Sequence, residues 1–130
     1  GLYILAETGQ MEVLKELDVV FVPHLVVIQL LENLSRTGNK KIREILDFLA
    51  LGVNIRLQSA GFKEQVKIRN ITPYYETAAT VAIGKEQNSL IVLGNPKIDP
   101  NVIEKFAQGM IRVTDLKGMV KNPLLQTENL

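Results

Sequence analysis

Acidic and amide side chains at four places in the sequence are the candidates for chemistry. Gln29 and Glu32 are three residues apart, which places both on one face of a predicted helix. Glu76 falls in the first turn of another predicted helix, and Asn95 follows a short apolar run. Carboxylate oxygens are ligands that hard divalent cations such as Mg²⁺ and Mn²⁺ prefer, and a neutral amide is a much poorer one, so one interpretation is a metal site. In the structural alternative, the helical pair belongs to a solvated stripe and Glu76 interacts with the helix dipole.

Aromatic and basic residues suggest a second kind of chemistry, the binding of single-stranded nucleic acid. Tyr74 and Tyr75 directly precede Glu76, and aromatic rings stack on unpaired bases. Modest basic clusters at residues 40–43 and 63–69 could contact a phosphate backbone. The competing interpretation is that the two tyrosines pack against a loop. Acidic residues interspersed in both basic clusters favour an ordinary solvated surface instead.

The composition excludes several kinds of site. The 130 residues contain no cysteine and a single histidine, His24, which excludes disulfides, thiolate metal sites and multi-histidine centres within one chain. A hydrophobic content of 46% and a net charge of +1 are typical of a globular domain and neither require nor exclude an RNA partner. The sequence has no apolar run of the roughly 20 residues that span a bilayer, and no basic leader. We therefore expect a cytoplasmic protein that is not associated with a membrane.

The elements that must position the candidate residues can be predicted from the spacing of apolar residues. Short β-branched runs predict buried strands at residues 19–22, 90–93 and 110–113. Alternating apolar residues at 53–57 and 66–68 predict short or edge strands. The helical segments between these strands have recognisable ends, including a break near Gly9, a stop at Gly38 and a stop at Gly109. Their predicted N-terminal caps are Asn39, Thr72 and Asp99.

Strands separated by helices imply right-handed crossovers and a mostly parallel sheet. We therefore predict a three-layer α/β/α sandwich that forms one domain over residues 1–120, followed by a C-terminal tail at 121–130. In open parallel sheets, ligands bind at the carboxyl ends of the strands. This rule directs attention to the residues just after the predicted strands and to the start of the helix that contains Glu76.

Several segments also resemble one known family. The opening of the chain combines an apolar helical pattern with a Val-Pro step, at Leu2, Leu5-Ala6, Gly9-Gln10-Met11, Val13-Leu14, Glu16-Leu17, Val20, Val22-Pro23, Val26 and Gln29-Leu30. Three later segments follow in the same order, at Ala78-Ala79, Ala82 and Glu86, at Leu90–Leu93, and at Arg112-Val113, Leu116 and Gly118. Together they cover most of the chain, which resembles the PIN-domain proteins and in particular the VapC-like group of prokaryotes.

The resemblance implies a fold, a chemistry and partners. PIN domains are typically metal-dependent ribonucleases in which three or four carboxylates at the carboxyl edge of the sheet hold Mg²⁺ or Mn²⁺. The metal generates hydroxide and stabilises the phosphate transition state. The resemblance further implies RNA as the substrate, a role as the toxin of a toxin–antitoxin pair with an antitoxin or other protein partner, and pairing as a homodimer.

The acidic pattern of that family is degenerate in this sequence. The glutamate after the Val-Pro step corresponds to Gln29, and Glu32 lies one turn farther along. The acid that begins the alanine-rich helix corresponds to Thr77, with Glu76 one position away. The acid after the next strand corresponds to Gly94 or Asn95, and the first strand and its aspartate would precede Leu2.

The resemblance therefore implies Glu76 and Glu32 as catalytic metal ligands and Gln29 and Asn95 as substrate-binding residues. It also implies that catalysis is weakened or lost. The alternative is a non-catalytic module that uses the same fold to bind RNA or a protein.

Overall fold

The structure is a computed structural model, and it describes residues 2–95, 97–108 and 112–121. Short helices and strands alternate along these ranges, as the sequence predicts. In chain order the elements are α1 (Leu2–Glu7), a 3₁₀ helix (Met11–Glu16), β1 (Val20–Pro23), α2 (His24–Thr37), α3 (Lys40–Leu51), β2 (Ile55–Gln58), α4 (Phe62–Arg69), α5 (Tyr75–Gln87), β3 (Ile91–Leu93), α6 (Pro100–Phe106), β4 (Val113–Asp115) and α7 (Leu116–Lys121).

The strands form two separate parallel pairs within the described residues. β1 pairs with β2 so that Val20 is opposite Ile55. β3 pairs with β4 so that Ile91 is opposite Val113. The predicted α/β class and the parallel pairing are confirmed, but the described strands form two small sheets instead of one.

Local signals set the ends of most helices. Gly9, with φ of +68°, separates α1 from the 3₁₀ helix, and Gly38, with φ of +64°, ends α2. Such positive φ values suit glycine because it has no Cβ. Asn39 Oδ1 accepts a hydrogen bond from the Lys41 N–H at 2.8 Å, and Asp99 Oδ1 accepts one from the Asn101 N–H at 2.9 Å. Two of the three predicted caps, Asn39 and Asp99, are confirmed.

Three predicted element boundaries need correction or lie beyond what is described. Residues 66–68 form part of α4 and not a strand. Two alternating apolar residues fit either structure, and here one acidic residue in the first turn and two basic residues in the last turn favour the helix. The predicted cap at Thr72 is wrong, because α5 begins at Tyr75 and its N-cap is Tyr74. The Thr72 hydroxyl oxygen instead accepts a hydrogen bond from the Tyr74 N–H in the turn that precedes the helix. Gly109, the beginning of the strand predicted at 110–113, and nearly all of the predicted tail lie outside the described residues.

Among the described residues, the core contains three hydrophobic clusters. One surrounds β3 and β4 and includes Ile68 of α4, and a second surrounds β1 and β2 and includes Ile45 of α3. The third connects the first and the last of the described helices, because Leu5 of α1 packs with Met119 of α7. The structure therefore places α1 and α7 in one cluster although they are far apart in sequence.

The longest described helix, α2, has no fully buried residue. Ile28 and Leu31 lie one turn apart and are 50% and 51% exposed. None of the described helices is long and apolar enough to cross a membrane.

Candidate functional site

A cavity of about 410 Å³ lies between β1 and β3. Most of the residues that line it are apolar, and they come from the two strands and the residues beside them, from α1 and the 3₁₀ helix, and from α7. Polar side chains lie at a few places in this wall, and they are Glu76, Thr77, Thr80, Ser89 and Asn95. An apolar cavity with a few converging polar groups is the typical form of a binding site.

Glu76 reaches this cavity from the first turn of α5, where it is half-buried. The approach to α5 is fixed by Thr72, whose buried hydroxyl oxygen accepts a hydrogen bond from the Tyr74 N–H at 3.3 Å. The Thr80 hydroxyl donates to the backbone carbonyl of Glu76 at 2.8 Å. These contacts hold the backbone that carries the carboxylate.

Asn95 lines the same cavity directly after β3. Its Oδ1 accepts a hydrogen bond from the Lys97 N–H at 3.0 Å, which closes a local turn. Glu76 and Asn95 are therefore the two predicted site residues that the structure brings together. The rule that ligands gather at the carboxyl ends of strands selected Asn95 from the sequence, and its role in binding substrate stays a prediction.

Gln29 and Glu32 lie elsewhere on the molecular surface. Both are exposed on α2, and neither contributes to the lining of the cavity, although Val26 at the start of the same helix does. Glu32 is six residues beyond Val26, so it lies almost two turns farther along the helix. The spacing of Gln29 and Glu32 predicted that they share a helix face. It could not predict that this face lies outside the cavity that Glu76 lines.

The described residues do not fit the metal site that the resemblance implies. They contain no group of three or more histidine, aspartate or glutamate residues that could hold a metal ion. Several acids instead accept structural hydrogen bonds. Glu104 accepts from the Val113 N–H, Glu86 from the Gly61 N–H, and Asp115 from the Gly118 N–H. These carboxylates cap or connect elements of the fold.

An arginine stacked on a tyrosine lies beside Glu76, and sequence reasoning missed this pair. The guanidinium carbon of Arg69 is 3.5 Å from the ring centroid of Tyr75, whose side chain is 59% exposed. Arg69 Nε is buried and has no hydrogen-bond partner in the part of the chain that the structure describes. The turn between α4 and α5 brings the two residues together, and no local pattern indicates this contact.

A serine and the single histidine meet where β1 and β2 end. His24 Nδ1 lies 2.8 Å from Ser59 Oγ, and both side chains are exposed. Ser59 was not predicted as a site residue, although it lies just after the carboxyl end of the strand that was expected at residues 53–57. The pair joins the ends of the two strands and lies outside the lining of the cavity.

Comparison of the chain with protein-family models, with curated proteins and with solved structures gave no match. The resemblance to PIN domains therefore stays a prediction from the sequence.

Proposed function

We propose that this chain is a PIN-like domain, related to metal-dependent ribonucleases, that binds single-stranded RNA with catalysis weakened or lost. In this proposal the two parallel strand pairs belong to a three-layer α/β/α sandwich. The alternation of strands and helices and the parallel pairing support that architecture. The position of Glu76 and Asn95 in one cavity wall supports a site at the place where the family has its own.

The observation that carries the proposal is the stack of Arg69 on Tyr75. One face of the tyrosine ring holds the guanidinium, and the side chain remains 59% exposed for a nucleobase. Stacking of a base on an aromatic side chain contributes about 1–3 kcal/mol and tolerates any base. Tyr75 directly precedes Glu76, which lines the cavity.

Basic residues on α4 support binding of the phosphate backbone. Lys63 and Lys67 are exposed on the helix that ends with Arg69. Neutralisation of phosphates by lysine and arginine releases counterions, so binding through this surface must weaken as salt rises. The proposal thus assigns stacking to Tyr75 and non-specific phosphate contacts to α4.

We propose that catalysis is weakened or lost because the cavity offers few oxygen ligands for a metal ion. Stable binding of Mg²⁺ in such a site needs several oxygen ligands around one point. Glu76 and Asn95 provide one carboxylate and one amide, and the Asn95 oxygen already accepts a backbone hydrogen bond. A metal-activated hydroxide is therefore not part of the proposed activity.

The test is fluorescence anisotropy of a labelled oligouridylate at low and at moderate salt. We expect Tyr75→Ala to raise Kd about 5- to 100-fold, the equivalent of the stacking energy of one base. Tyr75→Phe retains the ring and should stay close to wild type. Phe62→Ala is the matched control, since Phe62 is an exposed aromatic residue at the other end of α4. Equal Kd values for wild type and Tyr75→Ala would refute the stacking site.

Calorimetry with Mn²⁺ tests the assignment of catalysis. The proposal expects no binding heat at millimolar metal, for wild type and for Glu76→Ala alike. Binding heat that disappears in Glu76→Ala, together with cleavage of the same oligouridylate, would show an active metal-dependent ribonuclease instead.

A further inference from the structure

The carboxyl ends of β1 and β2 bring a hydroxyl and an imidazole together outside the cavity. His24, the first residue of α2, has its Nδ1 2.8 Å from Ser59 Oγ, and both side chains are exposed. The contact follows from the register of the parallel strands. In that register Pro23 is opposite Gln58, and each member of the pair is the next residue along its own segment. The strand pairing itself therefore places the hydroxyl beside the imidazole.

Two further contacts hold the turn between Ser59 and α4. The Gly61 N–H donates to Glu86 Oε1 of α5 at 2.9 Å. The Ala60 carbonyl accepts a hydrogen bond from Gln65 Nε2 of α4 at 3.1 Å. The backbone that carries the serine is thus tied to two helices. Reacting groups on a fixed backbone lose less freedom when they reach the transition state, so this arrangement suits catalysis.

A serine hydroxyl becomes a nucleophile when an adjacent base takes its proton. With the imidazole proton on Nε2, His24 Nδ1 accepts the hydrogen bond from the Ser59 hydroxyl. In the part of the chain that the structure describes, His24 forms no other hydrogen bond or ion pair, so no third group orients it. The oxyanion of an acyl transfer also needs donors, and α2 begins at His24 with N–H groups that have no side-chain cap. The geometry thus favours acyl transfer at a modest rate.

We propose that Ser59 and His24 form a catalytic dyad that hydrolyses small activated carboxylic esters. Ser59 Oγ forms a bond to the carbonyl carbon of the ester, and its proton passes to His24 Nδ1. The bond from that carbon to the leaving oxygen breaks, the leaving group departs as its anion, and the imidazolium returns its proton to solvent. Water then attacks the acyl carbon and gives a proton to His24 Nδ1. The bond to Ser59 Oγ breaks, Oγ takes that proton back, and a carboxylic acid is released. This activity requires neither RNA nor a metal ion.

The test measures release of p-nitrophenolate from p-nitrophenyl acetate by the full chain near neutral pH. We expect Ser59→Ala and His24→Gln each to lower the rate constant at least about tenfold, the lower range of what a positioned base contributes. Ser35→Ala is the matched control, because Ser35 is an exposed serine on α2, and it should keep the wild-type rate. Both dyad side chains are exposed, so the variants should fold, and their circular dichroism spectra verify this.

An isolated imidazole also cleaves this ester, so the serine variant is the decisive one. A wild-type rate in Ser59→Ala would show that His24 acts alone and would overturn the proposal. A wild-type rate in His24→Gln would overturn it too. Mass spectrometry after reaction with a fluorophosphonate locates the nucleophile. Ser59 Oγ should displace fluoride and gain the phosphonyl group in wild type, while its proton passes to His24. A wild-type protein without the label on Ser59 would contradict the dyad.

Discussion

Glu64 has a partner that its sequence context does not reveal. Its Oε1 accepts a hydrogen bond from Lys85 Nζ, which joins α4 to α5. Both side chains are partly buried, with 23% of Glu64 and 32% of Lys85 exposed. The hydrogen bond from Lys85 lowers the pKa of Glu64, the charges of Lys85 and Lys67 add to this effect, and burial opposes it. The pair therefore links the two helices most strongly while the carboxylate is ionised.

Replacement of this carboxylate should reduce stability in a pH-dependent way. We expect Glu64→Gln to lower the free energy of unfolding by about 1 kcal/mol near neutral pH. Because the pKa of Glu64 is lower in the folded than in the unfolded chain, its contribution is complete above the unfolded-state pKa. It disappears as the pH falls through the folded-state pKa. Urea unfolding at several values from about pH 7 to about pH 3 should show the two proteins converging.

Glu44 provides the matched control for this experiment. It forms a surface ion pair with Lys41 at 3.5 Å, and 64% of its side chain is exposed. Exposed pairs contribute little, so Glu44→Gln should change the free energy of unfolding by less than about 0.5 kcal/mol. A difference between wild type and Glu64→Gln that stays constant down to the acid end would contradict the role of the charged pair.

At the scale of single elements, one short polar side chain fixes both the start of α3 and its contact with α1. Asn39 Oδ1 accepts from the Lys41 N–H, and its Nδ2 donates to the Tyr3 hydroxyl at 3.2 Å. One side chain thus begins α3 and connects it to α1. The sequence predicted the cap, because capping depends on residues that are neighbours in the chain. The contact with Tyr3, 36 positions away, depends on tertiary packing and was not predicted.

Loss of this cap should lower the melting temperature. We expect Asn39→Ala to destabilise the protein by about 1 kcal/mol, which corresponds to roughly 4 °C for a domain of this size. Asn39→Asp retains the acceptor for the Lys41 N–H and loses the donor to Tyr3, so its melting temperature should lie between the other two. Differential scanning calorimetry provides the comparison. A melting temperature for Asn39→Ala equal to that of wild type would exclude a stabilising cap.

The helix ends could be predicted from the sequence where the residues that set them are close neighbours in the chain. Gly38, Asn39 and Asp99 marked helix ends correctly, since each acts within one turn of its own position. The segment at 66–68 was assigned wrongly because two alternating apolar residues also fit a helix. Where an apolar pattern is this short, the charges at the helix ends are the better guide.

At the scale of the whole molecule, what could not be predicted is how separate elements meet. Strand order along the chain indicated an α/β protein, but it contained no information on the cavity between β1 and β3. The strand-end rule selected Asn95, which lies in the cavity wall, and its role in substrate binding stays a prediction. Gln29 and Glu32 were selected from helix spacing and a resemblance, and they lie on an exposed helix face. The stack of Arg69 on Tyr75 had no local signal.

The hydrophobic cluster that joins α1 and α7 is also the whole-molecule feature with the clearest effect on stability. Leu5 is 2% exposed and packs with Leu14, Leu17 and Met119, so it holds α1, the 3₁₀ helix and α7 in one core. Removal of its side chain beyond Cβ enlarges a cavity that Leu5 already lines. Leucine-to-alanine changes in cores cost about 2–5 kcal/mol, since they lose transfer free energy and leave unfilled volume.

We therefore expect Leu5→Ala to lower the free energy of unfolding by about 2–5 kcal/mol in urea titrations followed by circular dichroism. Leu51→Ala is the matched control, because Leu51 ends α3 and is 81% exposed, and its effect should be within about 0.5 kcal/mol. If α1 and α7 packed only loosely on the rest of the molecule, the two variants would unfold at the same urea concentration. A large difference between them would show that the core around Leu5, which joins α1, the 3₁₀ helix and α7, stabilises the protein.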